Sequence, residues 1–248
     1  MAKQKTKYQK GKAGIPYVVM TVLLIVASVV AACTVFFRVE FVTVEGNARY
    51  SEEQILAVAN VEFGANLILT PEEQIAHRVS KNLPYVEQVK AQKRFPTTLK
   101  LIVKESQPVS VMSDGEKMWI VDGKGRLLEA ADESLALQYI SIKGLQIVEP
   151  EQGEQVKTNE ETAQQLHGLL SLTQALQSHN MAQHITSIDA SSKTEITMMY
   201  EDRLVVKMLN NADFERKTLI LQEIVALLGE QERGTVNLKT ETAFFSPG

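Results

Sequence analysis

From Ile15 to Phe37 the chain runs 23 residues without a charge, and immediately past Arg38 the pattern turns to alternation. At a rise of about 1.5 Å per residue the uncharged run makes about 34 Å of helix, enough to cross a hydrocarbon core of roughly 30 Å. Val39, Phe41 and Thr43 then interleave with Glu40, Val42 and Val44, which predicts a strand to Glu45 with apolar groups on both faces, ended by Gly46-Asn47. Ser51 followed by Gln54 is a capping box and predicts a helix to about Asn60. Thr70-Pro71-Glu72-Glu73 supplies a second start signal, for a helix to about Asn82 closed by Pro84. Two strands follow, Val86 to Arg94 and then residues 97–105, joined at Phe95-Pro96 because proline has no N–H for a ladder interior. The order is β-α-α-β-β.

Past Pro108 the apolar segments shorten and crowd together. Val109 to Met112, Met118 to Val121 and Arg126 to Glu129 read as a meander, turning at Asp114-Gly115 and Asp122-Gly123. The polar stretch "QIVEPEQGEQVKTN" from Gln146 to Asn159 reads as a loop. A helix from Glu160 to Gln177 carries Leu166, Leu169, Leu170 and Leu176 at helical spacing. Strands return at Ile185 to Asp189, Glu195 to Tyr200 and Leu204 to Leu209. A last helix to Leu228, with Asp213 as its N-cap, places Phe214, Leu221, Ile224, Val225 and Leu228 on one stripe. The final run, "GTVNLKTETAFFSP", reads as one strand. From Thr235 to Phe244 it alternates, with Val236, Leu238, Thr240, Thr242 and Phe244 on one side.

Charge orients this plan. Lys3, Lys5, Lys7, Lys10 and Lys12 precede the apolar run with no acidic residue among them, which keeps residues 1–14 on the cytoplasmic side and sends the rest across. Residues 38–248 then hold 21 basic against 30 acidic residues, a balance of about −9 that argues against binding nucleic acid or an anionic surface. A cleaved secretory signal has a shorter apolar stretch, of about 7 to 15 residues. Val30-Ala31-Ala32-Cys33 fits the small-residue pattern before a lipidated cysteine, though cleavage there leaves no spacer ahead of the first strand. Cys33 is the sole cysteine, so the exported part folds by core burial, without disulfides.

Catalytic patterns are missing from the sequence. There is no G-x-S-x-G, S-x-x-K, G-x-x-x-x-G-K-[ST] or H-E-x-x-H. His77, His167, His179 and His184 have no cysteine or carboxylate cluster beside them, so no metal or other cofactor is expected. "DGKGR" at Asp122 to Arg126 lies between two strands and reads as a hairpin turn, not an anion cradle before a helix. Glu52-Glu53 and Glu72-Glu73 suit the first turns of their helices.

Four stretches in this order, "FRVEFVTVEGNARYSEEQI", "NLPYVEQVKAQKRFPTTLKLIVKESQPV", "IVDGKGRLL" and "VNLKTETAFFSP", resemble the bacterial division family FtsQ/DivIB. The resemblance implies an α+β chain with a transmembrane helix at 15–37, a POTRA domain at 38–106 and a second mixed domain at 107–248 with a largely antiparallel sheet and two helices. It implies a single-pass protein of the bacterial cell membrane at the division septum. It also implies a non-enzymatic scaffold for septal peptidoglycan synthesis, whose partners are FtsL-type and DivIC/FtsB-type bitopic proteins. Two departures stand out. Glu105-Ser106-Gln107-Pro108-Val109-Ser110 lacks the family's arginine, and Leu209-Asn210 replaces Leu-Gly, a mild change because Asn tolerates left-handed backbone.

A last strand at a sheet edge leaves one row of backbone groups for a partner strand to complete. The pattern alone leaves an ordinary blunted edge or a central strand equally open. The family resemblance selects a partner site, with Val236, Leu238, Lys239, Thr240, Thr242, Phe244 and Phe245 as the expected contacts. A different class of reading, an envelope lipoprotein or transport component whose POTRA domain receives polypeptide, turns on whether Cys33 is lipidated.

Overall fold

A computed structural model describes residues 14–248, so the five lysines of the expected cytoplasmic tail lie outside the described residues. Helix α1 spans Gly14–Phe36. From Tyr17 to Phe36 it has the length and composition to cross a membrane, and none of that stretch is buried. The hydroxyls of Thr21, Ser28 and Thr34 each donate to a backbone carbonyl one turn back at 2.8 Å, which satisfies them without water.

The chain divides into two compact units. The first takes the chain up to His77 together with Val89–Val103, and the second takes Arg78–Gln88 and Lys104–Gly248. Past α1 come β1 (Phe41–Glu45), α2 (Glu52–Ala59), α3 (Glu72–Asn82), β2 (Val86–Arg94) and β3 (Thr98–Glu105), in the expected order. The strands make a sheet ordered β1-β3-β2, with β1 parallel to β3 from the Phe41–Thr98 pair to Glu45–Ile102. Leu99, Leu101 and Val103, two residues apart on β3, turn inward, as do Ile55 of α2 and Ile75 of α3. The capping box forms as read: Gln54 N–H donates to Ser51 Oγ, and Ser51 N–H donates to Gln54 Oε1 at 2.9 Å.

The second unit continues with β4 (Pro108–Ser113), β5 (Met118–Asp122), β6 (Leu127–Ala131), α4 (Glu133–Ala136), β7 (Ile140–Gln146) and α5 (Ala163–Ser178). Then come β8 (Ile185–Asp189), β9 (Glu195–Tyr200), β10 (Leu204–Leu209), α6 (Phe214–Leu227), β11 (Gly234–Asn237) and β12 (Phe244–Pro247). Its nine strands form one sheet ordered β12-β11-β10-β9-β8-β7-β4-β5-β6. Five of the eight pairings are antiparallel and three are parallel. The parallel neighbours β7–β8 and β10–β11 are joined through α5 and α6, since a parallel pair needs a crossover rather than a hairpin. Ile196, Met198 and Tyr200 of β9 and Leu204, Val206 and Met208 of β10 join Leu169, Leu172 and Leu176 of α5 in one core. Asp213 caps α6 by accepting from Arg216 N–H.

Three features go beyond the sequence reading. Strand β7 escapes a period-two pattern because its buried positions run 140, 142, then 145, with Ile147 buried just past its end. The phase slips at Gly144, where the β4–β7 register shifts and the backbone takes φ +83°. Asn210 does not use left-handed backbone. It is buried, and its carboxamide N–H reaches the carbonyls of Gln164 and Lys193 at 3.5 Å while Oδ1 is left without a partner. Ser106, standing where the resembling family has arginine, is buried with its hydroxyl unpaired, and its N–H donates to Tyr85 C=O at 2.7 Å.

Candidate functional site

The C-terminal run is not one strand. It pairs as β11 with β10 from Gly234 to Asn237, leaves the sheet, and returns as β12 against the outer side of β11. Consecutive alternation over residues 235–244 cannot report this, because residues 238–243 form the connection. Leu238 N–H still donates to Lys207 C=O at 2.8 Å, which extends the parallel ladder one step before the chain turns away.

This reversal corrects the expected contact set. Val236 and Leu238 are both 0% exposed, in the core shared with α5 and α6, so their side chains cannot meet a partner while the unit is folded. Lys239 is turned to Glu195 of β9 in an ion pair. Thr240 and Thr242 are exposed in the connection, where Thr240 Oγ donates to Thr242 C=O at 2.8 Å. On β12 itself, Phe245 is half-buried against the core and Phe244 is 50% exposed.

Two basic side chains that the sequence reading passed over hold the hairpin. Lys217 of α6 is buried, and its ammonium donates to Thr240 C=O at 2.6 Å. A lysine in a helix ordinarily reads as solvent-facing, so only the packing of α6 reveals it. Arg203 Nη1 reaches the carbonyls of Gly229 and Glu232 at 3.2 and 3.1 Å, fixing the turn that feeds β11. The carboxyl of Glu195 is held below its ordinary pKa of 4.5, first by the hydrogen bond from Lys239 and against some desolvation. A depressed carboxylate stabilises the fold above its unfolded pKa, and the contribution fades as pH falls through the folded value. Protection of the amides in residues 238–243, taken relative to intrinsic exchange at each pH, should therefore fall as pH drops below about 4.5, and fall less in Lys239→Met, where the pair is already gone.

Register decides which backbone groups of β12 remain unused. Gly248 N–H donates to Arg233 C=O at 2.9 Å, flanking the Gly234–Pro247 pair, which is thus a non-hydrogen-bonded pair. Alternation then makes Ser246 and Phe244 the residues bonded to β11. The backbone groups of Phe245 and Pro247 point the other way, and among the described residues no strand lies on that side. Because proline carries no N–H, the open edge offers one donor, at Phe245, and two acceptors, at Phe245 and Pro247.

The opposite edge of the same sheet is treated differently. Along β6, Leu127 N–H donates to Glu154 C=O, Gly153 N–H donates to Leu127 C=O, and Gln152 Nε2 donates to Leu128 C=O, all within 2.7–2.8 Å. The chain covers Leu127 and Leu128 of that border with its own residues 152–154, whereas among the described residues no strand lies beside β12 on its outer side. Exposed edges recruit foreign strands, so leaving one uncovered is informative.

Among the described residues no group of three or more His, Cys, Asp or Glu gathers as a metal site. His179 meets Glu215 at 2.7 Å, and His184 meets Glu201 at 2.7 Å. Asp122 Oδ1 accepts from the N–H groups of Lys124 and Arg126, which closes the β5–β6 turn from within.

Comparisons with known proteins bear on both units. A family model described as "POTRA domain, FtsQ-type" matches residues 37–106, and one described as "Cell division protein FtsQ/DivIB, C-terminal" matches residues 111–239. The second match stops before β12. The chain is 24% identical over 213 residues to Cell division protein DivIB of Clostridium botulinum (strain Hall), covering 85% of this chain and 82% of the relative. It is 32% identical over 111 residues to Cell division protein FtsQ of Geobacter sp. (strain M21), covering 45% and 40%. Cell division protein FtsQ of Streptomyces venezuelae is also 32% identical, over 117 residues, covering 46% and 43%.

Proposed function

Because this chain belongs to the FtsQ/DivIB family of cell division proteins, we propose that it is a non-catalytic scaffold of the septum that captures bitopic division proteins by strand addition at β12. In this reading α1 anchors it with the N-terminus in the cytoplasm and both units outside. Its partners are of the FtsL and DivIC/FtsB types, and through them it meets the septal peptidoglycan synthase. The observation that carries the reading is the asymmetry of the nine-stranded sheet, covered by its own chain at Leu127 and Leu128 of β6 and, among the described residues, open along β12.

Magnitudes say how such a dock works. Three hydrogen bonds, to Phe245 N–H, Phe245 C=O and Pro247 C=O, give about 3 kcal/mol at about 1 kcal/mol each. That is less than the roughly 4 kcal/mol of a millimolar complex. Apolar contact with Phe244 and co-anchoring in one bilayer, which raises effective concentration, must supply the rest.

Photo-crosslinking in dividing cells tests the proposal without disturbing the core. A benzoylphenylalanine at position 244 should form adducts with small single-span division proteins, and one at Glu154, exposed in the segment that covers Leu127 of β6, should not. Adducts at 154 with none at 244 would overturn strand addition at β12.

A further inference from the structure

The end of the first unit nearest α1 exposes apolar side chains that a water-facing surface does not call for. The loop from Glu62 to Leu69 runs beside the last turn of α1. Asn66 Nδ2 reaches Cys33 C=O at 3.5 Å, and Leu67 N–H donates to Phe37 C=O at 2.8 Å. Leu67 is wholly buried, so the loop is firmly seated, yet Phe63 is 64% exposed and Leu69 79%. The β2–β3 turn arrives at the same level. Phe95, 59% exposed, meets Phe37 edge-on with ring centroids 5.4 Å apart, and Lys93 Nζ donates to Ile68 C=O at 2.8 Å.

Depth follows from helix length. The 23 residues of α1 extend about 34 Å against a hydrocarbon core of about 30 Å, so a centred span leaves only about 2 Å of helix beyond each face. Groups level with Cys33 to Phe37 therefore stand at the boundary between acyl chains and headgroups, where aromatic rings are favoured. Arg38 and Arg94 are exposed at this same end, and long basic side chains there reach lipid phosphates while their stems stay in apolar surroundings.

We propose that Phe63, Leu69 and Phe95 insert into the lipid interface of the leaflet from which α1 emerges, seating the first unit directly on the membrane. The occupant of this surface is lipid because the patch is continuous with a helix built to lie in lipid and is hydrogen-bonded to its final turn. The proposal rests on α1 spanning the bilayer. It explains why the strand begins within a few residues of the span: the domain needs no linker because its underside belongs at the interface.

The test uses the full chain in nanodiscs of phosphatidylcholine and phosphatidylglycerol. On a Cys33→Ser background, single substitutions Phe63→Cys, Leu69→Cys, Phe95→Cys, Val26→Cys and Glu53→Cys each carry an environment-sensitive fluorophore. Labels at 63, 69 and 95 should be quenched by doxyl lipids about fivefold more than the label at 53, since such quenching requires residence at acyl depth. The label at 26 reports the span independently. If it is quenched while 63, 69 and 95 match 53, insertion is overturned and the span stands; if 26 is itself aqueous, the proposal falls with the span. Thermal melts close to the parent's are expected for all five, since each site lies on the surface.

Discussion

Phe245→Pro should weaken capture of a partner strand about tenfold more than Phe245→Ala does, a difference of about 1.4 kcal/mol. Both substitutions remove the ring that packs half-buried against the core, so the comparison between them cancels that loss. What differs is the one N–H that β12 presents on its open side. Within the β11–β12 pairing Phe245 sits at a non-hydrogen-bonded position, so proline there leaves the internal ladder intact. A partner carbonyl that finds no donor is left desolvated, which costs about 1–3 kcal/mol. Titration of each variant with the purified extracytoplasmic segment of a bitopic partner would measure the difference. Equal affinities for proline and alanine variants would mean that partners do not bond to this edge.

Gly234→Val should abolish the dock by a different route. The backbone at Gly234 takes φ +155°, and a Cβ there would stand 2.2 Å from the carbonyl oxygen of Ser246 and 2.8 Å from the ring of Phe245. The backbone strain alone costs about 1–3 kcal/mol. Crowding a packed pair adds about 1–3 kcal/mol more. The cheapest relief is for β12 to leave the sheet, because it is held on one side only, whereas β10 is held on both. Amides of Ser246 and Gly248 should then lose protection from exchange while those of β9 and β10 keep theirs, and partner capture should vanish. A variant with protected β12 amides and undiminished capture would show that Gly234 is not the hinge of the hairpin.

These two positions differ in how readable they were. Phe244 and Phe245 were among the expected contacts, but Val236 and Leu238 stood beside them with the same alternation and proved to be core. Period two distinguishes the two faces of a strand, and it says nothing about where a strand stops and turns back. Gly234 carried no local signal of its role, since the atoms that a side chain would strike belong to Phe245 and Ser246, eleven and twelve positions away. Lys217 was hidden for the related reason that its carbonyl partner comes from the far side of a hairpin. By contrast, Ser51 with Gln54 and Asp213 with Arg216 were legible, because a helix cap is closed by atoms three residues apart.

By itself, the sequence determined what depends on near neighbours: a span of uncharged residues, caps that start α2 and α6, the β-α-α-β-β order of the first unit, and the family to which the chain belongs. Only the tertiary structure decided which edge of the nine-stranded sheet is covered, how β11 and β12 divide the last run, and which apolar loops stand level with the end of α1. The physical reason is range. Capping and periodicity are settled within a few residues, whereas an open edge or an exposed patch exists only by virtue of what the rest of the chain fails to cover.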